Sequence, residues 1–302
     1  FPSAIIALLN YRFAKRLKES GTSIQTVINR FENQVIDKAW NAGFNRYYPE
    51  STRIGYQGFI ASEHYLCMYP TKFENECGIL PSVTAVIGKG FLSSRNEFFP
   101  EMTAITAPAL RFSNVWDQDL FSPDLSRHTI LVALPISVKI AENMMATIGE
   151  IIEQLFVQIP HLQIWIKPHP TTDINLFKSR IDNINQDQIT FVDGAFNKYL
   201  EKSNLLITNH SSTCLETLAK GIPVIIITNH QGLIHNPIPR GVDPDIWRLC
   251  FNSVDLAKSI VDFYHSSSEQ KSKFQTIGRE IREKYFEPAT PAKIKEFIGY
   301  KQ

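Results

Sequence analysis

Short apolar runs that alternate with helical patterns fill the second half of this chain, and they limit its possible folds more than any other feature. Apolar runs of this length predict strands of a parallel sheet that is covered on both faces, with helices as the crossover connections. The predicted strands are 129–136, 162–167, 189–193, 205–209 and 222–228, and the predicted helices are 141–158, 174–182, 195–202 and 212–220. We therefore expect a doubly wound α/β domain that binds its ligand at the carboxyl ends of the strands.

The first half repeats this pattern less regularly, and a long helical stretch at 254–285 follows the last predicted strand. The predicted strands of the first half are 52–56, 66–69, 83–87 and 103–107, and its predicted helices are 3–19, 33–45, 72–77 and 91–98. The fold class is therefore predicted as α/β, with two Rossmann-like domains and parallel sheets. The polar, aperiodic stretch 113–128 indicates the boundary. The expected domains are 1–122, 123–285 and a closing segment, 286–302, that packs back on the first domain.

Composition excludes several classes of partner. Lys and Arg total 31 against 30 for Asp and Glu, so no overall field favours nucleic acid. The four cysteines show no CxxC spacing, which favours free thiols in a reducing cytoplasm over disulfides or zinc. No apolar run approaches the roughly 20 residues of a membrane span, so residues 3–19 are interpreted as an amphipathic helix and the protein as cytoplasmic.

Lys167-Pro168-His169-Pro170 directly follows the predicted strand at 162–167. Its side chains are therefore expected at the carboxyl end of the sheet, where doubly wound sheets bind ligands. The two prolines stiffen the loop and hold an ammonium and an imidazole toward one point. This pair suits a phosphate, although a turn whose histidine caps a neighbouring group would give the same tetrapeptide.

A second polar loop, Asn209-His210-Ser211-Ser212-Thr213, follows the strand at 205–209 and precedes a helical run. Its hydroxyls suit an ordinary helix N-cap, but together with free amides they also suit an anion. Glu216 lies one turn into that helix, where a carboxylate could accept hydrogen bonds from ribose hydroxyls. We therefore predict two phosphate-compatible loops at neighbouring strand ends, beside a ribose-binding carboxylate.

Together, KPHP and the later segment NHSSTCLETLAKGIPVI resemble the carboxy-terminal domain of inverting GT-B glycosyltransferases of bacterial capsules and lipopolysaccharides. Within that group they are most similar to Kdo- and sialic-acid-type transferases, which use CMP-activated sugars, and less similar to CDP-glycerol polymerases of teichoic acid. The first half also resembles a group of surface-carbohydrate biosynthesis proteins. The segments that carry this resemblance are FENQ (31–34), RIGYQG (53–58), LP (80–81), VIG (86–88) and APALRF (107–112). Gly58 stands where that group tends to have a histidine, and Ala107 where it tends to have a glycine. The opening strand and glycine-rich loop of a GT-B amino domain are missing, so that domain is expected to be truncated.

The resemblance implies an inverting, metal-independent transferase that moves a sugar from a nucleotide donor, with CMP-linked Kdo or sialic-type sugars favoured. It implies no cofactor, a glycan or lipid-linked glycan acceptor of a growing surface polysaccharide, and peripheral association with the inner membrane or an assembly complex. Metal independence agrees with the absence of an Asp-X-Asp pair at a predicted strand end, since Asp243-Pro244-Asp245 lies in a proline-rich loop. The implied donor site comprises Lys167, His169, Pro170, Ser211, Ser212, Thr213 and Glu216.

The predicted general base is Glu32, which ends the short apolar segment TVINRF, and the alternative is Glu63 beside His64. Gln57, His230 and Arg240 are predicted to contact the sugar. The last two lie in the long Pro/Gly-rich stretch 229–246, which could equally be a solvated loop. Three other functions remain open at this point: a nucleotide-sugar epimerase of GT-B fold, a CDP-glycerol-type phosphotransferase, and a non-catalytic subunit that binds nucleotide or polysaccharide.

Overall fold

A computed structural model of the protein describes residues 2–95, 97–116, 128–178, 188–228 and 236–300. The chain divides into two compact units: unit 1 comprises Phe1–Asp117 and Glu283–Gln302, and unit 2 comprises Gln118–Arg282. The predicted boundary between residues 122 and 123 lies outside the described residues. No helix among the described residues is long and apolar enough to cross a membrane.

Unit 1 is built on a four-stranded sheet of order β1-β2-β3-β4, in which every pair is parallel. Its first elements are α1 (Pro2–Glu19), β1 (Thr26–Arg30), α2 (Val35–Tyr47), β2 (Thr52–Gln57), α3 (Lys72–Glu76), β3 (Val83–Val86), α4 (Leu92–Arg95) and β4 (Thr103–Thr106). Short 3-10 turns cover Leu66–Met68, Lys89–Phe91 and Leu110–Val115. The prediction of a strand at 66–69 is wrong, because local bonds from Met68 N to Tyr65 O (3.0 Å) and from Tyr69 N to Leu66 O (3.1 Å) close a 3-10 turn there.

β1 was not predicted, although it forms one edge of the sheet of unit 1. Val27 is the only fully buried residue of its five, so the strand lacks the apolar run that identifies the others. By contrast, all four residues of β3 are buried. The predicted strands at 52–56, 83–87 and 103–107 are confirmed as β2, β3 and β4.

Unit 2 is built on a six-stranded parallel sheet of order β10-β9-β8-β5-β6-β7. Its elements are β5 (Thr129–Ala133), α5 (Val138–Gly149), α6 (Ile152–Gln158), β6 (Gln163–Lys167), α7 (Asn175–Lys178), β7 (Ile189–Phe191), α8 (Phe196–Leu200), β8 (Leu205–Thr208), α9 (Thr213–Leu218), β9 (Val224–Ile227), β10 (Trp247–Cys250), α10 (Ser253–Tyr264) and α11 (Ser268–Tyr285). All five predicted strands are confirmed, and β8 and β9 are buried along their whole length. The helices predicted at 141–158 and 254–285 are each interrupted, the first at Glu150 and Ile151 and the second at residues 265–267.

The end of the chain belongs to unit 1. The last residues of α11 and all of α12 (Pro291–Ile298) lie in that unit. Glu287 donates its amide to Ile87 O at 2.6 Å and accepts from Ala109 N at 2.9 Å, next to the ends of β3 and β4. Phe297 of α12 packs with Ile54, Ala85 and Ala107 in the core of unit 1.

Candidate functional site

The strand order of unit 2 indicates where its ligand crevice lies. From β5 the chain winds outward through β6 and β7, then returns to the other side of β5 and continues through β8, β9 and β10. The winding direction therefore reverses between β5 and β8. In open parallel sheets, ligands bind outside the carboxyl ends of the strands at such a switch point.

The two predicted phosphate loops do not follow neighbouring strands, so that part of the prediction is wrong. The loop with Lys167 follows β6 and the loop with Ser211 follows β8, and β5 pairs with both strands and separates them. Two strand spacings amount to about 10 Å. Consecutive strong strands in the sequence suggested adjacency, but the crossover from β7 back to β8 passes over β5.

The loop that follows β5 therefore lies between the two predicted loops, although it was not predicted to belong to the site. Leu134 N donates to Lys167 O at 2.9 Å, which joins this loop to the end of β6. Ser137 is the N-cap residue of α5, a helix of 12 residues, and its side chain makes no capping bond. A signal was available in the sequence: Pro135-Ile136-Ser137 stands between the first strand of the doubly wound sheet and a helix.

Lys167 and His169 lie at the end of β6 in different environments. Lys167 is the last residue of the strand and only 7% exposed, whereas His169 is half-buried. His169 Nδ1 accepts a hydrogen bond from Thr171 N at 3.3 Å and lies 2.8 Å from Thr171 Oγ1. A ring nitrogen that accepts from a backbone amide carries no proton, so the proton of the neutral imidazole is on Nε2. Thr171, which was not among the predicted site residues, thus sets His169 to donate from Nε2.

Ser211 and Ser212, which follow β8, differ in their hydrogen bonds. Ser211 Oγ accepts hydrogen bonds from Thr213 N at 3.3 Å and from Thr213 Oγ1 at 2.8 Å, so Ser211 acts as the cap of the turn. Ser212 is the formal N-cap of α9, but its side chain makes no capping bond. Because α9 has only six residues, its dipole is small. The amides of Ser211, Thr213 and Cys214 already donate within the turn, so any anion site here depends mainly on the Ser212 hydroxyl.

Glu216 and Cys214 lie on α9 beside this loop. Glu216 is 8% exposed, one turn into the helix, as the sequence pattern predicts for a residue on the same face as Ser212. Burial raises the pKa of the Cys214 thiol to about 12. Cys214 therefore stays neutral and adds no negative charge next to the proposed phosphate position.

The predicted sugar contacts of the long loop are placed only in part. His230 lies outside the described residues. Arg240 is exposed, in the turn that precedes the short 3-10 helix Pro244–Ile246. Asp243 and Asp245 both pair with Lys273, at 3.3 and 2.5 Å, and the hydrogen bond from Lys273 lowers the pKa of Asp245. These two carboxylates therefore serve an ion-pair cluster of unit 2.

In unit 1, Glu32 follows β1, at the carboxyl end of the strand. Its Oε1 is paired with Arg30, and its Oε2 accepts from Gln34 Nε2 at 3.0 Å. The Asp37 carboxylate caps the amides of Glu32 and Gln34 at 2.9 and 3.1 Å. Glu32 is thus held in place, and each of its carboxylate oxygens keeps a second lone pair that could accept a proton.

Gln57 ends β2 and is only 2% exposed. Its Nε2 donates to Met68 O at 3.0 Å, while its buried Oε1 has no hydrogen-bond partner. Gln57, a predicted sugar contact, therefore holds the backbone at Met68 through its Nε2, while its Oε1 makes no hydrogen bond. Glu63, the alternative base, is half-buried, and its carbonyl accepts from Tyr69 Oη at 3.1 Å.

Unit 2 also contains a partly open, mostly apolar cavity of about 70 Å³ away from these loops. It is lined by residues at the amino ends of strands, among them Thr129, Leu205 and Pro223, and by Phe263 and Phe274. The polar loops selected from the sequence lie instead at the carboxyl ends of the strands, where open parallel sheets bind ligands.

No protein-family model and no curated protein sequence matches the chain. Solved structures match it in fold. The match to a structure of S. aureus MnaA with UDP covers 96% of this chain and 76% of the MnaA chain (TM-score 0.58, 11% identity). The match to a candidate UDP-N-acetylglucosamine 2-epimerase from Listeria monocytogenes covers 99% of this chain and 80% of the Listeria chain (TM-score 0.64, 13% identity).

The match to the glycotransferase of kitacinnamycin covers 90% of this chain and 76% of that glycotransferase (TM-score 0.52, 11% identity). Identities this low establish the architecture and leave the chemistry to the residues of the site. The chain has the GT-B fold, an α/β architecture of two Rossmann-like units with parallel sheets.

Proposed function

We propose that this protein is a glycosyltransferase that binds a nucleotide sugar on unit 2 and transfers the sugar to an acceptor hydroxyl of a growing bacterial surface glycan. The observation that carries the proposal is the state of His169. Thr171 holds its imidazole with the proton on Nε2, next to a buried Lys167 at the carboxyl edge of the sheet. A cation and a fixed donor at this edge suit the phosphate of a leaving nucleotide.

In the proposed reaction the acceptor oxygen attacks the anomeric carbon as the bond from that carbon to the nucleotide phosphate breaks. The bond pair leaves with the phosphate, whose growing negative charge is stabilised by Lys167 and by hydrogen bonds from His169 Nε2 and the Ser212 hydroxyl. Attack from the face opposite the leaving group inverts the anomeric configuration. The positive charge comes from Lys167, so the proposed mechanism requires no metal.

The remaining donor contacts follow from the strand order. The amides at the start of α5, after residues 134–137, lie between the loops of β6 and β8 and can bind a phosphate oxygen. The carboxylate of Glu216 can accept hydrogen bonds from the ribose hydroxyls, because it lies one turn beyond Ser212. The donor thus spans the ends of three strands, which fits the separation of about 10 Å between β6 and β8.

Cytidine-linked donors are favoured by the resemblance of KPHP and the Ser211-Ser212 pair to CMP-sugar transferases. We expect CMP or CDP to raise the melting temperature more than UDP or GDP at equal concentration, because a ligand that binds only the folded state stabilises it. Differential scanning fluorimetry with the four nucleotides measures this. A Lys167→Met variant, which lacks the phosphate cation, is the control and is expected to lose most of the response. A clear preference for UDP or GDP would refute the cytidine assignment and leave the transferase proposal standing.

Glu32 is the proposed general base, since it lies at the carboxyl end of β1 in the acceptor unit. We expect Glu32→Gln to lower kcat by about 100-fold or more, within the range of general-base catalysis, and Glu63→Gln to change it by less than about 3-fold. Initial rates of nucleotide release, with folding checked by circular dichroism, test this. The opposite ranking of the two variants would make Glu63 the base.

An epimerase is the second candidate, and the fold match to the Listeria monocytogenes structure favours it. An epimerase inverts one carbon of the free nucleotide sugar and needs no acceptor. NMR of the products with donor alone distinguishes the two. A changed sugar on intact nucleotide would favour the epimerase, whereas nucleotide release that depends on acceptor supports the transferase.

A further inference from the structure

Arg95, the last residue of α4 in unit 1, is a buried arginine with unused donors. Its side chain is 4% exposed, and both Nε and Nη1 are buried without a hydrogen-bond partner. A guanidinium carries five N–H donors and stays protonated in proteins, so this charge cannot be neutralised by losing a proton.

The groups around Arg95 offset its burial only in part. The guanidinium lies over the ring of Tyr69, 5.3 Å from the centroid, and 6.0 Å from that of Phe91. Burial lowers the pKa of Arg95, while Tyr69 and Glu63 oppose this effect through their charges. Cation–π contacts contribute about 0.5–2 kcal/mol each, whereas burying an ion costs several kcal/mol, so the isolated protein leaves a deficit.

The position of Arg95 points to a ligand. Tyr69 lies in the segment after β2, and Phe91 in the segment after β3. Met68, next to Tyr69, is tied to the last residue of β2 by the bond from Gln57 Nε2. Arg95 therefore lies near the carboxyl ends of β2 and β3, the edge at which parallel α/β sheets bind ligands.

Gln57 supplies a second unused group beside the same segment. Its Oε1 is a buried acceptor without a partner, while its Nε2 holds Met68. Buried polar atoms without partners are rare in folded proteins, and each calls for an explanation. A molecule with an oxyanion for Arg95 and a hydroxyl for Gln57 Oε1 would satisfy the donors and the acceptor together.

We infer that Arg95 binds an oxyanion, carboxylate or phosphate, of a hydroxylated acidic molecule bound by unit 1. That this molecule is the acceptor rests on the proposed function, and the oxyanion site itself does not. Arg95 binds the anion by the planar fork of its guanidinium, and Gln57 selects for a neighbouring hydroxyl. The acceptor is then an acidic sugar or a sugar phosphate.

Binding at this residue can be followed directly by NMR. Inorganic phosphate and acetate, matched in ionic strength with sodium chloride, are titrated against the full chain while the arginine Nε–H resonances are recorded. The Arg95 resonance is assigned by its loss in Arg95→Met, or in Arg95→Lys if the first variant is poorly folded. We expect a saturable shift of this resonance with phosphate, acetate or both, and the tighter ion identifies the anionic group. No shift, or a shift equal to that with chloride, would overturn the inference.

Stability provides an independent readout. In buffer without oxyanions, Arg95→Met should leave the melting temperature unchanged or raise it by about 2–4 °C, because it removes a buried charge with two nitrogens that have no hydrogen-bond partner. Arg53 is the matched control: its Nε is likewise buried without a partner, but its Nη1 donates to Ser51 O at 3.1 Å and to Pro49 O at 3.4 Å. Arg53→Met should lower the melting temperature. A loss of several degrees in Arg95→Met would show a structural role and contradict the inference.

The two proposals can fail separately. If the Arg95 resonance responds to oxyanions but no nucleotide sugar is turned over, the anion site stands and the transferase proposal fails. If transfer occurs and Arg95 does not respond, the acceptor is bound by other groups of unit 1.

Discussion

Replacing Gly278 by alanine is expected to destabilise unit 2 by about 2 kcal/mol, although alanine is the better helix former. A Cβ at position 278 would lie 2.6 Å from Gly221 N and 2.7 Å from Gly221 Cα, distances that real Cβ atoms do not reach. Helix propensity favours alanine by about 1 kcal/mol, whereas forcing atoms into a packed interior costs about 1–3 kcal/mol or more. The clash is with backbone, which cannot rotate away, so the unfavourable effect dominates. Urea unfolding followed by circular dichroism measures the difference.

Gly149, the last residue of α5, provides the matched control. A Cβ there meets no atom within 4 Å, so Gly149→Ala should raise the free energy of unfolding by about 0.5–1 kcal/mol. If both variants are stabilised, the close approach of α11 to Gly221 is not present in solution. The contact matters for function because Gly221, with φ of 77°, ends the turn after α9, the helix that begins at the Ser212 loop.

The strands of unit 2 were predictable because they are buried along most of their length. A sheet covered on both faces requires apolar residues at every position, and β9, with four buried residues, shows this directly in its sequence. β1 and β10 lack this signal, since only one residue of each is buried. The edge strands β4 and β7 were nevertheless predicted, so an edge position alone does not hide a strand in the sequence.

The order of the strands was not predictable in the same way. Local patterns identify strands but not their neighbours, so β6 and β8 were placed side by side and the loop after β5 was missed. Lys167 and His169 could be placed at the end of a strand because they directly follow an apolar run. Thr171 was missed because its role depends on which ring nitrogen it contacts, which the sequence does not encode.

The burial of Arg95 could not be predicted from the sequence either. In the sequence it ends a short polar stretch, Leu92-Ser93-Ser94-Arg95, that is typical of an exposed helix end. Its burial arises from contacts with Tyr69, which is distant in the chain, and with Phe91. A residue of this kind becomes a candidate only when the partners of its polar atoms can be counted.

His169→Asn is expected to lower kcat by about 100- to 1000-fold, the usual effect of removing one hydrogen bond to the charge that develops in a transition state. The asparagine amide occupies roughly the place of Nδ1 and has no donor at the position of Nε2. His169→Gln, whose amide reaches further, should retain more activity. Thr171→Val keeps the backbone bond to Nδ1 and removes only the hydroxyl contact, so a loss of about 2- to 10-fold is expected.

His161 is the matched control, because it precedes β6 at the amino end of the strand, whereas His169 follows β6 at the carboxyl end. Its φ of 62° is tolerated by asparagine, so His161→Asn should fold normally and keep wild-type transfer. Single-turnover rates, measured as release of the nucleotide that best stabilises the protein, compare all four variants. Equal rates for His169→Asn and His161→Asn would remove His169 from the leaving-group site. A large loss in His169→Asn, an intermediate loss in Thr171→Val and no loss in His161→Asn would place the departing phosphate at the carboxyl end of β6 and show that the Thr171 hydroxyl contact helps to position His169 for catalysis.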